Sequence, residues 1–405
     1  MHCSPPKAMT TVDLTSPAAS RSRTRATMLC ALACALPPFV SAILSQIDVM
    51  LLASSLLAPA LAAFCLTDRL VPAVSARTLK RGLFGFDLNK PKPPSDNTVK
   101  AQKARIPEAA GLAAGAAFLL CSAATVLGHG PLERLAEFHA GLLCIAVILL
   151  AGFADDMLDL PWRVKLALPV LAAIPLLSAY QGPTTVVVPK LLRPMLLPDN
   201  TEGISLDLGL AYKAYMLLMA VFCSNAINIH AGINGLEVGQ TAFVASGVLA
   251  LNFQSLSSSP SHAYSARLVA PLLGCCLGML KHNAYPAAVF PGDTFTFFAG
   301  MSLAVAGILG HFTEALLVLM LPQLLNFLLS LPQLFGLVHC PRHRVPTLTG
   351  NNKLESSGNF TVLNVILRLG GARSEGTLCT LALSLQFLSI GIVFLLRYML
   401  AGIYK

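Results

Sequence analysis

The feature that most limits what this chain can fold into is the recurrence of apolar stretches about as long as a bilayer is thick. A hydrocarbon core takes roughly 20 apolar residues per spanning helix. Ten candidate spans of that size follow one another, at about 49–74, 106–127, 136–154, 164–180, 209–227, 236–256, 266–281, 294–310, 313–338 and 377–401. Lipid offers no partner to a bare peptide group, so a spanning segment must be helical or part of a closed barrel. The runs are unbroken and lack the every-second-residue alternation of barrel strands. Only 12% of the residues are charged, against roughly 25% in soluble domains. The sequence therefore predicts an all-α, polytopic membrane protein with about ten transmembrane helices, occupying 49–405. The variable N-terminal segment, 1–48, stands apart. Arg21, Arg23 and Arg25 precede an apolar run near 28–46 that ends in Gln46 and Asp48, and it reads as signal-like, as an extra helix or as an interfacial helix.

The net charge of +9 fits basic cytoplasmic loops better than nucleic-acid binding. The loop 75–105 holds eight lysines and arginines, from Arg77 to Arg105. Arg163 and Lys165 follow the third span, Lys281 ends the seventh, and 339–376 holds Arg342, Arg344, Lys353, Arg368 and Arg373. The alternate loops hold fewer, namely Arg134, then Lys190 and Arg193, then Arg267. The positive-inside rule then puts the ends of the odd-numbered spans in the cytosol. The eleven cysteines have no paired zinc spacing and lie mostly inside apolar runs, as small core residues.

Most of the unusual polar residues gather in those cytosolic connections. "GFDLNKPKPP" and "IPEAAG" supply Asp87, Asn89, Lys90 and Glu108; "AGFADDMLDLPWRVKL" supplies Asp155, Asp156, Asp159 and Lys165. "NAINIHAGINGLEVGQ" supplies Asn225, Asn228, Asn234 and Glu237; "FPGDTFTFFAGM" supplies Asp293; "CPRHRVP" supplies Arg342, His343 and Arg344. Carboxylates and amides are oxygen ligands for a hard cation such as magnesium. Lysine and arginine grip phosphate oxygens, and glycines let backbone approach a ligand. Together on one face they suggest a magnesium–pyrophosphate site. Each has a plainer reading. The Asp155–Asp156 pair could be a helix end, the asparagines could be interhelical glue, Asp293 could be a helix N-cap, and "PRHR" a positive anchor. His230 reads as a packed or interfacial histidine, and His311 as a loop or cap residue.

These motifs, with "GILGHF" and "FTVLNVILRLGG", resemble the eukaryotic UDP-N-acetylglucosamine–dolichyl-phosphate N-acetylglucosamine-1-phosphotransferases, a branch of the polyprenyl-phosphate hexose-1-phosphate transferase family. The resemblance runs from about residue 49 to the C-terminus. It implies ten helices around a cytosol-facing site in the endoplasmic reticulum membrane, a magnesium cofactor, and sensitivity to tunicamycin. It also implies transfer of N-acetylglucosamine-1-phosphate from UDP-N-acetylglucosamine to dolichyl phosphate with loss of UMP, the first step of the lipid-linked pathway for N-glycosylation. By motif position, Asn228 and Asp293 match the metal ligands, and Asp155, Asp156 and Lys165 the catalytic acids and phosphate-handling lysine. Leu88, Gly232, Asn234 and Phe290 match the uridine site, Arg342 a pyrophosphate contact, and His343 and Arg344 the sugar site. Glu108 matches an acid near the site. His230, Pro161, Pro291 and Ala284 depart from the usual pattern. The expected partners are the two substrates and membrane lipids, not nucleic acid; a homodimer is one arrangement open to such a chain.

A transporter or flippase is the rival class. It should carry its ionisable residues near the midplane of broken helices, whereas Asp155, Asp156 and Asp293 fall at span ends. "NFT" at Asn359 fits the N-glycosylation pattern and so points to a lumenal loop, against the cytosolic placement of 339–376.

Overall fold

The computed structural model describes residues 53–90, 105–126, 134–188, 205–256, 259–341 and 343–404. The segment 1–48 and Arg342 lie outside these. A π-helical turn, Ala53–Leu57, leads into α1 (Ala58–Lys80), followed by α2 (Gly111–Ala124), α3 (Leu135–Leu158), α4 (Trp162–Ala179), α5 (Leu210–Ile229) and α6 (Leu236–Ser255). Then come α7 (Pro260–Asn283), α8 (Gly292–Gly310), α9 (Thr313–Leu319), α10 (Leu321–Leu334), α11 (Val362–Gly370) and α12 (Glu375–Tyr404). Among the described residues the strands make only three short antiparallel hairpins: β1 (Phe84–Phe86) with β2 (Arg105–Pro107), β3 (Thr185–Val187) with β4 (Ser205–Asp207), and β5 (Thr347–Leu348) with β6 (Leu354–Glu355).

Every one of the ten candidate spans has a helical counterpart. Eight helices are long and apolar enough to cross a bilayer by themselves, and α9 with α10 makes a ninth that is bent by 72°. The bend lies where Pro322 enters the first turn of α10, since proline has no N–H to continue the ladder. The remaining span, α2, is apolar but only 14 residues long. α6, α7 and α8 are almost wholly buried, while α1 and α4 expose most of their length. The three buried helices therefore form the centre, and the others present leucines to lipid. Small residues allow the close approach that membrane helices rely on. A Cβ at Gly274 of α7 would lie 2.1 Å from the Ala60 carbonyl of α1. One at Gly152 of α3 would lie 2.7 Å from the Asp293 carbonyl of α8. This second contact matters because the acids follow it by one turn.

The connection after α10 is structured. Along α10, Gln323, Asn326, Ser330 and Gln333 are all buried and share one helical face by spacing. Asn326 donates to the Ile229 carbonyl (2.9 Å) and accepts from Val362 N (2.9 Å). Gln333 donates to the Asn359 side-chain oxygen (2.8 Å) and to the His339 carbonyl (3.1 Å). The Asn359 amide nitrogen donates in turn to Ser357 Oγ (2.8 Å). The asparagine of the acceptor pattern is thus occupied within the fold.

α3, α4 and α8 run between two polar clusters. At the end formed by Arg134, Tyr180 and His311, Arg134 pairs with buried Glu137 (2.9 Å) and its Nη1 donates to Ser261 Oγ. The other Glu137 oxygen accepts from Gln181 N (2.6 Å). His311 bridges Arg134 (Nε2, 3.1 Å) and Tyr180 (Nδ1, 3.1 Å), and Tyr180 donates to the Pro183 carbonyl (3.0 Å). One tautomer satisfies all of them: neutral His311 donates from Nδ1 and accepts at Nε2. Burial, with Arg134 beside it, lowers the His311 pKa and keeps the ring neutral.

Candidate active site

At the other end of the same three helices, α3 finishes with Asp155 and Asp156. Asp159, at the helix C-cap, takes a left-handed conformation and turns the chain into Pro161, where α4 begins. This tight reversal brings Lys165, one turn into α4, back over the acids. Its ammonium lies 2.7 Å from Asp155 Oδ2, off the hydrogen-bonding direction, and 2.9 Å from Asp293 Oδ2. Asp155 Oδ1 accepts from Leu160 N (2.9 Å), and Asn228 Nδ2 donates to Asp293 Oδ1 (2.6 Å).

Asp156 has a different task. Its carboxylate accepts from Asp293 N (2.7 Å), from Thr294 N (3.1 Å) and from the Thr294 hydroxyl. It therefore caps α8 from a neighbouring helix, satisfying two of the four N–H groups that a helix start leaves open. This corrects the reading of Asp293 as the N-cap. Asp293 is the second residue of α8, whose own cap residue, Pro291, has no side-chain cap bond. Gly292 is required here. Its φ is +74°, and a Cβ would lie 2.2 Å from Asp156 Oδ2. The adjacent pair thus splits: Asp156 faces the helix start, while Asp155 faces Lys165.

Beside this cluster is a cleft of about 390 Å³. Leu88, Glu108, Gly232, Asn234, Phe290 and His343 line it. Two segments run from the cleft to the acids: Phe290 to Asp293, and Asn234 back to Asn228. The hairpin β1–β2 forms one wall. Phe290 N donates to the Pro107 carbonyl (2.9 Å) and Ala110 N to the Phe290 carbonyl (3.2 Å). Burial, and then the charge of Asp293, raise the pKa of Glu108. His343 and Val345 also border the cleft, with Val345 against Gly232, where a Cβ would lie 2.7 Å from Val345 Cγ1. Arg344 is partly buried; its carbonyl accepts from Asn364 Nδ2 (3.3 Å), and its Nη1 is buried without a partner. A buried guanidinium nitrogen left without an acceptor is costly, and an anionic or carbonyl ligand would relieve it.

The structure thus places Asp155, Asp156, Lys165, Asn228 and Asp293 in one cluster. Leu88, Glu108, Gly232, Asn234, Phe290 and His343 line the cleft beside it, and Arg344 follows His343 in the chain. His230 is buried, and burial lowers its pKa to about 4, so it is a packed neutral ring. One residue escaped the sequence reading. Glu375, the first residue of α12, is buried and accepts from Asn234 N (2.9 Å), Asn89 Nδ2 (3.2 Å) and Lys90 Nζ (3.1 Å). Its only signal was an acid directly before an apolar span, the place where a helix N-terminus favours negative charge.

Comparison with known proteins bears on this geometry. Residues 138–311 match the model of glycosyl transferase family 4. The UDP-N-acetylglucosamine–dolichyl-phosphate N-acetylglucosaminephosphotransferase of Dictyostelium discoideum is 40% identical over 356 residues, covering 82% of this chain and 86% of the relative. This chain belongs to that phosphotransferase family. The protein of the same name from Saccharomyces cerevisiae is 36% identical, covering 83% of this chain and 89% of its own length. A bacterial phospho-N-acetylmuramoyl-pentapeptide-transferase, from Clostridium beijerinckii, is 28% identical over 64% of this chain and 74% of its own. The matched segment 138–311 spans α3 to α8 and so includes both sides of the acid–lysine cluster. The β1–β2 hairpin and the 339–376 connection lie outside it.

Proposed function

We propose that the chain transfers N-acetylglucosamine-1-phosphate from UDP-N-acetylglucosamine to dolichyl phosphate, releasing UMP. An oxygen of dolichyl phosphate forms a bond to the β-phosphorus, and the bond from that phosphorus to the α–β bridging oxygen breaks. The observation that carries this reading is one of charge. Two carboxylates, Asp155 and Asp293, share a single ammonium, Lys165, and a third, Asp156, holds the first turn of α8 beside them, next to a cleft of nucleotide size. Such an excess of negative charge at a helix start calls for a cation.

The donor set fits magnesium, with oxygens from Asp293 and the side-chain oxygen of Asn228 as the ligands. When bound, the ion would offset the charge of the pyrophosphate. Lys165 stands between Asp155 and Asp293 and meets phosphate oxygens at the junction. Asp156 is a positioning residue that fixes the first turn of α8 and so the direction of the Asp293 carboxylate. The nucleophile needs little help with its proton, because a phosphate monoester has its second pKa near about 6. Leu88, Gly232, Asn234 and Phe290 would hold the uridine, and the "CPRHR" loop the pyrophosphate and sugar. The acids lie at helix ends because one substrate keeps its phosphate at the membrane surface. The motif loops face the cytosol in this reading, and the membrane is that of the endoplasmic reticulum. The test is release of UMP by the purified chain in detergent. UMP should appear only with dolichyl phosphate, UDP-N-acetylglucosamine and magnesium together. UMP formed without the lipid, or equal use of UDP-glucose, would refute the assignment.

A further inference from the structure

The cleft contains an amide whose orientation is fixed by a neighbouring carboxylate. Asn234 is buried, its backbone N–H is taken by Glu375 (2.9 Å) and its side-chain Nδ2 donates to Asp87 Oδ2 (3.0 Å). A carboxylate can only accept, so the nitrogen of the amide must face Asp87 and the oxygen must face the other way. Asp87 is held in turn: its Oδ1 accepts from Asn89 N (3.0 Å) and its Oδ2 from Lys90 Nζ (2.9 Å). Lys90 also pairs with Glu375. Among the described residues, the side-chain oxygen of Asn234 accepts no hydrogen bond. A second buried asparagine repeats the pattern. Asn89 spends its Nδ2 on the Gly232 carbonyl (2.9 Å) and on Glu375 (3.2 Å), and its Oδ1 is buried without a partner.

We propose that Asp87, braced by Lys90 and Glu375, is a specificity-determining residue that locks the Asn234 amide with its acceptor toward the cleft, so that the site selects a base bearing an imide N–H. This deepens the phosphotransferase reading and rests on its placement of the nucleoside. Uracil presents a donor at N3, whereas cytosine presents a lone pair that would oppose the Asn234 oxygen. A buried polar group left unpaired or opposed discriminates more strongly than a missing apolar contact. Asp87 lines the same cleft, and it sets the selectivity through the Asn234 amide rather than through a contact of its own.

The readout is equilibrium binding of UMP, CMP and N3-methyl-UMP to the purified chain by calorimetry, which does not depend on transfer to any lipid. Wild type should bind UMP at least about tenfold more tightly than either other nucleotide. In the double variant Asp87→Asn/Lys90→Met, which also removes the ammonium that donates to the oxygen facing Asn234, the N–H of Asn89 retains the side-chain carbonyl oxygen, so the new NH2 group faces Asn234. The Asn234 amide then turns its oxygen to that donor and its own NH2 to the cleft. The UMP-to-CMP preference should fall at least about tenfold, with CMP binding improved in absolute terms. Asp87→Ala, which only frees the amide, should lose preference without gaining CMP affinity. A purely structural loss would weaken both nucleotides alike. If folded variants keep the wild-type preference, or if wild type binds N3-methyl-UMP as well as UMP, the proposal is overturned. The second result decides even if both variants fail to fold. Normal nucleotide selectivity with no transfer to dolichyl phosphate would instead refute the function and leave this inference standing.

Discussion

The same three helices, α3, α4 and α8, carry a charged cluster at each end, and the two differ in one respect. At the Arg134 end the charges cancel. Arg134 meets Glu137, both Glu137 oxygens have donors, and neutral His311 links Arg134 to Tyr180, whose hydroxyl reaches a carbonyl. At the Asp155 end two carboxylates, Asp155 and Asp293, share one ammonium, and a third, Asp156, is met by the N–H and hydroxyl donors of α8. A cluster whose donors and acceptors are matched holds helices together and has no capacity for a ligand. One with surplus charge beside an open cleft stores an unmet interaction, which substrate and cation can complete. Buried or half-buried charge marks chemistry only when the local count fails to close.

The largest effect should come from removing a carboxylate at the open end. Asp293→Asn is expected to lower turnover by about a thousandfold or more, the scale of a lost electrostatic stabiliser. It should leave the detergent melting temperature at or above that of wild type, because repulsion is relieved. Turnover near wild type in a monodisperse preparation would remove Asp293 from the site. Asp156→Ala should do two things at once. Loss of the cap should cost about 1–2 kcal/mol of stability, and displacement of Asp293 should slow transfer by about a hundredfold or more. Asp155→Asn should slow transfer without the stability loss; if it melts like Asp156→Ala, the division of labour between the two neighbours is wrong.

At the closed end the pattern should reverse. Glu137→Ala strands Arg134 and the Gln181 N–H, and should cost about 3 kcal/mol in unfolding measurements. The folded fraction should keep wild-type KM for both substrates, and a raised KM would show that the two ends are coupled.

The smallest effect concerns pH. Burial and Asp293 raise the Glu108 pKa above its unfolded value, so the charged form is the disfavoured one in the fold. The related stability is complete below the ordinary glutamate pKa and is lost as pH rises through the folded value. Glu108→Gln should therefore be more thermostable than wild type at pH 7.5 and indistinguishable from it near pH 4. Melting curves across that range decide it.

The long spans were legible because lipid leaves a helix few alternatives, and run length located the eight that can cross by themselves and the bent pair α9–α10, while α2, expected as a full span, is only 14 residues long. The 72° bend between α9 and α10 was not, since Pro322 reads equally well as a tolerated membrane proline. The acids and amides of the candidate site could be read as a group from their motifs and from loop charge. Their roles could not, because Asp155 and Asp156 are chemically identical and differ only in which helix each faces. Glu375 was hidden for a related reason: its partners Asn89, Lys90 and Asn234 are more than 140 positions away along the chain. Local pattern cannot show a pairing made by the fold. The Arg134 cluster looked in sequence like scattered loop residues for the same reason.

The account rests on phosphoryl transfer at the charge-rich end, and the bond that breaks can be followed directly. UDP-N-acetylglucosamine labelled with radioactive phosphorus at the β position should be given to the purified chain with dolichyl phosphate, with and without a chelator of divalent cations. The account predicts that the label moves into the lipid product while unlabelled UMP is released, and that chelation stops both. Label recovered in free UDP would mean that the sugar moves without its phosphate, and transfer that persists under chelation would mean that the surplus carboxylates do not hold a cation. Either result would contradict the account.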